Sequence, residues 1–217
     1  MNSAIILAGG SGKRVDSSIP KQFIEINNKK IIDYSIDAFE KNKNINEIIL
    51  VLNEDWINQV KDEYKRYKLV SGGNTRHQSS LNGVLSCSKK CKNVLIHDAA
   101  RPLLSQKIIN TCINNLSNHE GTSPFLNIAD SLIIKKNNII KYIDRDLIKN
   151  IQTPQGFNKN IIKDALENTK NYGTDDISTL LDYNSKAKIN FFHGDEYNFK
   201  VTNNFDLQIL KYIINEK

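Results

Sequence analysis

Glycines and cations meet near the start of the chain in Ala8-Gly9-Gly10-Ser11-Gly12-Lys13-Arg14, followed closely by Pro20-Lys21-Gln22-Phe23. Glycine has no Cβ to keep a ligand off the backbone, and it tolerates dihedrals that aim successive N–H groups at one anion. Lys13, Arg14 and Lys21 add charge, so the chemistry on offer is a grip on a nucleotide triphosphate. Two familiar glycine loops fail on residue identity. A Walker-type loop needs glycine where Leu7 stands and Ser or Thr where Arg14 stands, and a dinucleotide fingerprint needs glycine at Val15. Taken alone, the run also fits an ordinary strand-to-loop turn with basic residues.

Further segments are too polar and specific for chain that only packs. Ser71-Gly72-Gly73-Asn74-Thr75-Arg76 is a second glycine turn, placed before a helical stretch from His77 to Ser86. Its amides can meet a ligand edge, and Ser79, about one turn beyond Thr75, can add a hydroxyl. In the plainer reading Asn74 or Thr75 caps a helix. Leu95-Ile96-His97-Asp98-Ala99-Ala100-Arg101-Pro102 sets a carboxylate after an apolar run, with small residues next that leave room. Asp98 suits Mg²⁺, which takes oxygen ligands, keeps water and bridges phosphates. The plainer readings are a helix cap or a partner for Arg101, and His97 reads as a hydrogen-bonded structural residue. Asp144-Arg145, Gln152-Thr153-Pro154-Gln155-Gly156-Phe157, Gly173-Thr174-Asp175-Asp176 and Asn198-Phe199-Lys200-Val201-Thr202 complete the set.

The elements that must position these residues alternate. Residues 4–7, 47–52, 69–70 and 93–96 read as strands, and residues 31–39, 56–67 and 78–86 as helices. Such alternation predicts an α/β, Rossmann-like, mostly parallel sheet with helices on both faces and ligands beyond the carboxyl ends of the strands. The first glycine loop and Asp98 both fall at such ends. The pattern changes at residues 131–134 and 138–143, two short β runs around Lys135-Lys136-Asn137-Asn138. They predict a hairpin within an arm of about residues 129–150. A hairpin cannot bury both faces by itself, so this one is expected to project and pack on a second subunit, giving a homodimer; the alternative is a hairpin lying flat on its own domain. Residues 161–166 and 176–181 read as helical, 187–192 as a strand and 204–214 as a closing helix. With no repeat or linker, residues 1–217 are expected to form a single domain.

Composition narrows the partners. Thirty Lys and Arg against 24 acidic residues give a net charge of +6, which favours anions. The lysines are scattered, without the basic, aromatic-interleaved stripe that nucleic acid requires, so phosphates are the better match. Cys87, Cys91 and Cys112 lack a paired spacing and a neighbouring His cluster, and read as reduced thiols rather than a zinc site. The start of the chain has no leader pattern and no apolar run is long enough to span a bilayer, so no membrane association and a cytoplasmic location are expected.

Taken in order, the glycine loop ending in Arg14, Pro20-Lys21-Gln22, Gly72-Gly73, His97-Asp98-Ala99-Ala100-Arg101-Pro102, Thr153-Pro154-Gln155, Thr174-Asp175-Asp176 and Lys200-Val201-Thr202 resemble the cytidylyltransferases of the 2-C-methyl-D-erythritol 4-phosphate type from residue 4 almost to the end. That resemblance implies that a phosphate oxygen of a polyol phosphate attacks the α-phosphorus of CTP, releasing pyrophosphate, with Mg²⁺ clamping the triphosphate. It assigns Arg14, Lys21 and Lys200 to the α-phosphate in the transition state. It also implies that Ala8, Gly9, Gly10, Ser11 and Gly12 wrap the triphosphate and that Gly73, Asn74 and Ser79 read cytosine. Asp98 then meets metal and substrate, while Arg145, lent by the neighbouring subunit's arm, Thr153 and Thr174 hold the alcohol phosphate. A sister group with the same loops acts on ribitol 5-phosphate or other pentitol phosphates, and Glu196-Tyr197-Asn198 leans that way. A non-catalytic nucleotide-binding module and a nucleic-acid binder are the readings from other classes.

Overall fold

The computed structural model describes residues 1–10, 19–137, 139–169 and 173–216. Strand β1 (Asn2–Ala8) is followed by a 3-10 turn at Lys21–Phe23, the two-residue strands β2 (Glu25–Ile26) and β3 (Lys29–Lys30), helix α1 (Ile31–Glu40), β4 (Glu47–Leu52), α2 (Glu54–Val60), β5 (Lys68–Ser71), α3 (Arg76–Ser86) and β6 (Asn93–Asp98). Then come α4 (Gln106–Asn115), β7 (Gly121–Asn127), β8 (Leu132–Lys136), β9 (Ile139–Ile143), β10 (Lys149–Ile151), β11 (Gln155–Asn158), α5 (Lys159–Asn168), α6 (Asp176–Tyr183), β12 (Ile189–His193) and α7 (Asn204–Asn215).

β1 lies between β4 and β6, parallel to both, with Ile5 opposite Ile49 on one side and Ile96 on the other. Strands covered on both faces are apolar without alternation, which is why these runs read so plainly. Side chains still alternate in direction. Ala4, Ile6, Leu50, Leu52 and Leu95 pack under α1 and α4, while Ile5, Ile49, Val51, Val94 and Ile96 pack under α3, α5 and α6. On that second face a Cβ at Gly83 would sit 2.5 Å from the Ile5 Cγ2, so only glycine lets α3 lie this close to β1. The expected parallel centre and helices on both faces are present, with β5 at one edge.

The other half mixes directions. β11 runs antiparallel to both β6 and β7, β10 pairs with the far end of β7, and β12 lies parallel along the other edge of β7. β8 and β9 form their own antiparallel ribbon, from Leu132 opposite Ile143 to Lys136 opposite Ile139, which is the expected hairpin. Asn137, at φ 54°, makes the left-handed turn at its tip.

The helix expected over residues 56–67 ends at Val60. The chain turns there because Tyr64, 3% exposed, is drawn under α1, where its hydroxyl donates to Asp33 at 2.8 Å. Tyr67, in turn, donates to Glu40.

Candidate active site

The carboxyl ends of β1, β4, β5 and β6 open onto one cavity of about 600 Å³. Ala8, Gly9 and Gly10 form its floor beyond β1. Gln22 explains the Pro-Lys-Gln segment: buried, it donates through Nε2 to the carbonyls of Ala8 at 2.7 Å and Gly10 at 3.1 Å, and so fixes the glycine turn. Lys21 lines the cavity and donates to the Val201 carbonyl at 2.7 Å. Ser11, Gly12, Lys13 and Arg14 lie outside the described residues.

Gly73, Asn74 and Ser79 form a second wall, which adjoins the floor where a Cβ on Gly9 would lie 3.8 Å from the Ser79 hydroxyl. The Ser79 hydroxyl accepts from the Gly73 amide at 3.1 Å and donates to the Thr75 carbonyl at 3.0 Å, and the Thr75 hydroxyl caps α3. A Cβ on Gly73 would lie 2.2 Å from the Gln78 Cβ, so the turn admits no side chain there. Asn53, at the end of β4, also lines this wall.

Asp98 ends β6, 9% exposed, between two cations. Lys200 Nζ is 2.7 Å from its Oδ2, and Arg76 Nε is 3.7 Å from its Oδ1. Burial works to raise the carboxyl's pKa, but Arg76 and Lys200 prevail and hold it well below the usual carboxylate range. Lys200 arrives from the far end of the chain because the Val201 amide donates to the Ala100 carbonyl at 2.8 Å. Arg101 meets Asp98 through its backbone amide, which donates to the Asp98 carbonyl at 3.0 Å, while its guanidinium donates to the Asn198 carbonyl at 2.8 Å.

Behind Asp98 a hydrogen-bond chain sets its backbone. The Asp98 amide donates to the Thr153 hydroxyl at 3.1 Å, which lies 3.1 Å from His97 Nδ1. His97 Nε2 is 3.1 Å from the Arg101 carbonyl, which only accepts, so the proton is on Nε2 and the Thr153 hydroxyl donates to Nδ1. Burial pushes the His97 pKa down to about 4, against the pull of Asp98, and keeps the ring neutral.

A second cavity, of about 360 Å³, adjoins the first. Thr153 and Thr174 line it, and Arg76, Asp98 and Lys200 line both. Thr174 is exposed just before Asp175, the N-cap of α6, whereas Thr153 is 4% exposed with its hydroxyl proton committed to His97. Gln155 holds the start of α6, accepting from the Asp176 and Ile177 amides at 3.0 and 3.1 Å. Arg145 lines neither cavity; it sits in a 3-10 turn after β9 and donates to the Ala129 carbonyl. Asn198 is fully buried and donates to the Thr153 carbonyl at 2.8 Å, so it supports the wall and does not face an acceptor.

Arg76 and Gln22 stand within the motifs but receive no role from them, and Asn53 lies outside every motif. The signal for Arg76 is its place three residues before Ser79, on the same helix face. Among the described residues no group of three or more His, Cys, Asp or Glu is placed to hold a metal ion. No helix in the described residues is long and apolar enough to cross a membrane.

Backbone amides, cations and one restrained carboxylate around a large cavity suit transfer at phosphorus, and the molecule is a nucleotidyltransferase. The family model described as 2-C-methyl-D-erythritol 4-phosphate cytidylyltransferase matches residues 2–216, and the chain belongs to that family. It is 38% identical to the protein of that name from Clostridium botulinum (strain Loch Maree / Type A3), covering 98% of this chain and 97% of that one. Identity to the protein of the same name from Clostridioides difficile (strain 630) is 36%, over 99% and 94%. The crystal structure of 4-diphosphocytidyl-2C-methyl-D-erythritol synthase from Anaerococcus prevotii DSM 20548 superposes with a TM-score of 0.87 at 29% identity, covering 99% of this chain and 96% of that one.

Proposed function

We propose that the chain transfers CMP from CTP to 2-C-methyl-D-erythritol 4-phosphate, forming a CDP-alcohol for isoprenoid precursor synthesis and releasing pyrophosphate. The observation that carries this reading is the pair of adjoining cavities with Arg76, Asp98 and Lys200 as their common wall, in a chain that matches the family along its length. The larger cavity suits the nucleotide and the smaller the acceptor. An oxygen of the acceptor phosphate attacks the α-phosphorus, and the bond to the bridging oxygen breaks as pyrophosphate leaves. Charge gathers on the α-phosphate oxygens, which Lys21 and Lys200, with Arg14 from the glycine loop, are suited to stabilise. Gly9 and Gly10 offer backbone to the triphosphate, and Gly73, Asn74 and Ser79 the base-reading wall.

Mg²⁺ fits this set in one respect: Asp98 is the single carboxylate among the described residues of the nucleotide cavity, and magnesium is commonly held by one or two carboxylates with substrate phosphates. When bound there it would neutralise phosphate charge. Thr174 and Thr153 are assigned to the acceptor phosphate, Thr153 through placement of Asp98, and Arg145 to the same phosphate in the partner's site of a homodimer. The arm supports that assembly, since Ile139 is 62% and Tyr142 81% exposed on a ribbon outside the main sheet. A cytoplasmic location accords with soluble substrates.

The pentitol reading has no support in the site, because Asn198 is turned into the wall. Pyrophosphate release from CTP and Mg²⁺, measured in parallel with methylerythritol, ribitol and glycerol phosphates, tests the proposal. Methylerythritol phosphate should be preferred. Release with ribitol phosphate alone would change the acceptor, and folded protein that releases none would overturn the activity.

A further inference from the structure

Arg76 occupies the first turn of α3 and lines both cavities. Its Nη1 lies 2.8 Å from Asp176 Oδ2 and its Nε 3.7 Å from Asp98 Oδ1. Asp176 is 1% exposed and opens α6, whose leading amides are held by Gln155. The guanidinium is rigid and planar, so the ion pair at Nη1 restrains where Nε lies. Arg76 Nη2 and Asp176 Oδ2 are both buried with no hydrogen-bond partner among the described residues, so the contact between the two residues is an ion pair rather than a directed hydrogen bond. The group is therefore placed by its two carboxylates, not by saturating its own donors.

The consequence falls on Asp98. Lys200 holds one carboxylate oxygen and Arg76 faces the other, so the two cations together set the rotation of that carboxylate, with His97 and Arg101 adjacent in its own strand and loop. Without Arg76, Lys200 would draw Asp98 to one side of the common wall. We propose that Arg76 is a positioning residue of the transfer reaction: anchored by Asp176, it holds the Asp98 carboxylate at the junction of the nucleotide and acceptor cavities. The assignment rests on the cytidylyl-transfer reading given above.

A purely structural role predicts something different. A buried ion pair replaced by neutral groups of similar shape costs little stability, whereas removing one partner strands a buried charge. Arg76→Gln should therefore lower Tm by stranding Asp176, and the double variant Arg76→Gln with Asp176→Asn should regain most of that loss. Turnover should not return with it. In both variants kcat should stay down by roughly 10- to 100-fold, the range in which small misplacements at reacting centres fall. The Kd for CTP, read by calorimetry, should remain within about threefold, because the glycine turns stay intact and tenfold is only about 1.4 kcal/mol. Recovery of kcat together with Tm in the double variant would overturn the proposal.

Should the double variant not fold, Arg76→Lys decides. Lysine keeps a charge for Asp176 but is a point charge without the fork, so kcat should fall at least about tenfold with Tm nearly unchanged. Wild-type kcat in Arg76→Lys would equally defeat the assignment. The wild-type chain in the same assay separates the two claims. If it releases no pyrophosphate, the cytidylyl-transfer reading fails and the assignment with it. If it is active and the variants match it, only the role of Arg76 fails.

Discussion

The nucleotide cavity and the β8–β9 arm are built on opposite principles. Around the cavity, four strand ends of the main sheet converge, and Gln22, Ser79, Thr153 and His97 tie down the loops that follow them. The arm is a two-stranded ribbon with Ile133, Ile134, Ile139 and Ile140 half exposed or more, and its Arg145 reaches neither cavity. The described residues lining the nucleotide cavity are thus all brought together by the fold of one chain. The arm leaves apolar surface and the Arg145 guanidinium exposed, which is where the proposed dimer would use them. Substitutions on the first side should act on chemistry and fold, and those on the second on acceptor affinity and assembly.

The largest effect should come from the common wall. Lys200→Ala removes a cation proposed to act on the α-phosphate and should lower kcat by about 10²- to 10³-fold, as loss of one preorganised electrostatic donor does. Because Arg76 still faces Asp98, Tm should change little. Steady-state kinetics with a melting curve check both, and a loss under tenfold would mean that the wall only binds. No arm substitution should approach this.

Acid should separate the regions next. His97 is fully buried, with its pKa pushed from 6.5 down to about 4. Folding therefore favours the neutral ring: the stabilisation is fully present above about pH 6.5 and is lost as pH falls toward 4, by about 3 kcal/mol in all. Asp98, with its pKa depressed, adds a loss only below its unfolded value of 3.8, so the two windows do not overlap. Denaturant unfolding at pH 7.5 and 4.5 measures the difference, and His97→Gln should remove most of it. An undiminished acid loss in that variant would assign the effect elsewhere.

How legible each region is follows from the same contrast. The runs at β1, β4 and β6 are apolar because both faces are covered, and the first glycine turn and Asp98 follow directly from where β1 and β6 stop. Strand β7, Gly-Thr-Ser-Pro-Phe-Leu-Asn, has no apolar period, because Thr122 and Ser123 are buried through hydrogen bonds involving Asn115 and the Gln152 carbonyl. Thr153-Pro154-Gln155 is visible as a motif but not as the entry to β11. Helix α4 carries Ile108, Ile109 and Cys112 at helical spacing, yet asparagines dilute the signal. The role of Arg76 was hidden for another reason: its partners, Asp98 and Asp176, are distant in sequence and meet only when α3, β6 and α6 are assembled.

Gly73→Ala sharpens the nucleotide side more gently. The added Cβ would meet Gln78 at 2.2 Å, so the turn must open and release the Gly73 amide from Ser79. Strain and one lost hydrogen bond, roughly 1–2 kcal/mol, correspond to a CTP KM raised about 5- to 30-fold, with the acceptor KM unchanged. Equal rises in both constants would show that the two walls are not separable.

The smallest effect tests the arm. Arg145 is exposed, and its bond to the Ala129 carbonyl leaves other guanidinium donors for a phosphate presented by a neighbouring chain. A solvent-accessible arginine–phosphate contact contributes about 1–1.5 kcal/mol, so Arg145→Ala should raise the acceptor KM about 5- to 10-fold and leave the CTP KM within twofold. If the contact is made across a dimer, Ile139→Lys, which charges the ribbon without touching Arg145, should reproduce the acceptor defect as the protein dissociates on dilution. Sedimentation at the concentrations used for kinetics links the two. An acceptor KM that stays at the wild-type value in monomeric Ile139→Lys protein would place the acceptor site wholly within one chain, and the contrast between a self-sufficient nucleotide side and a borrowed acceptor side would collapse.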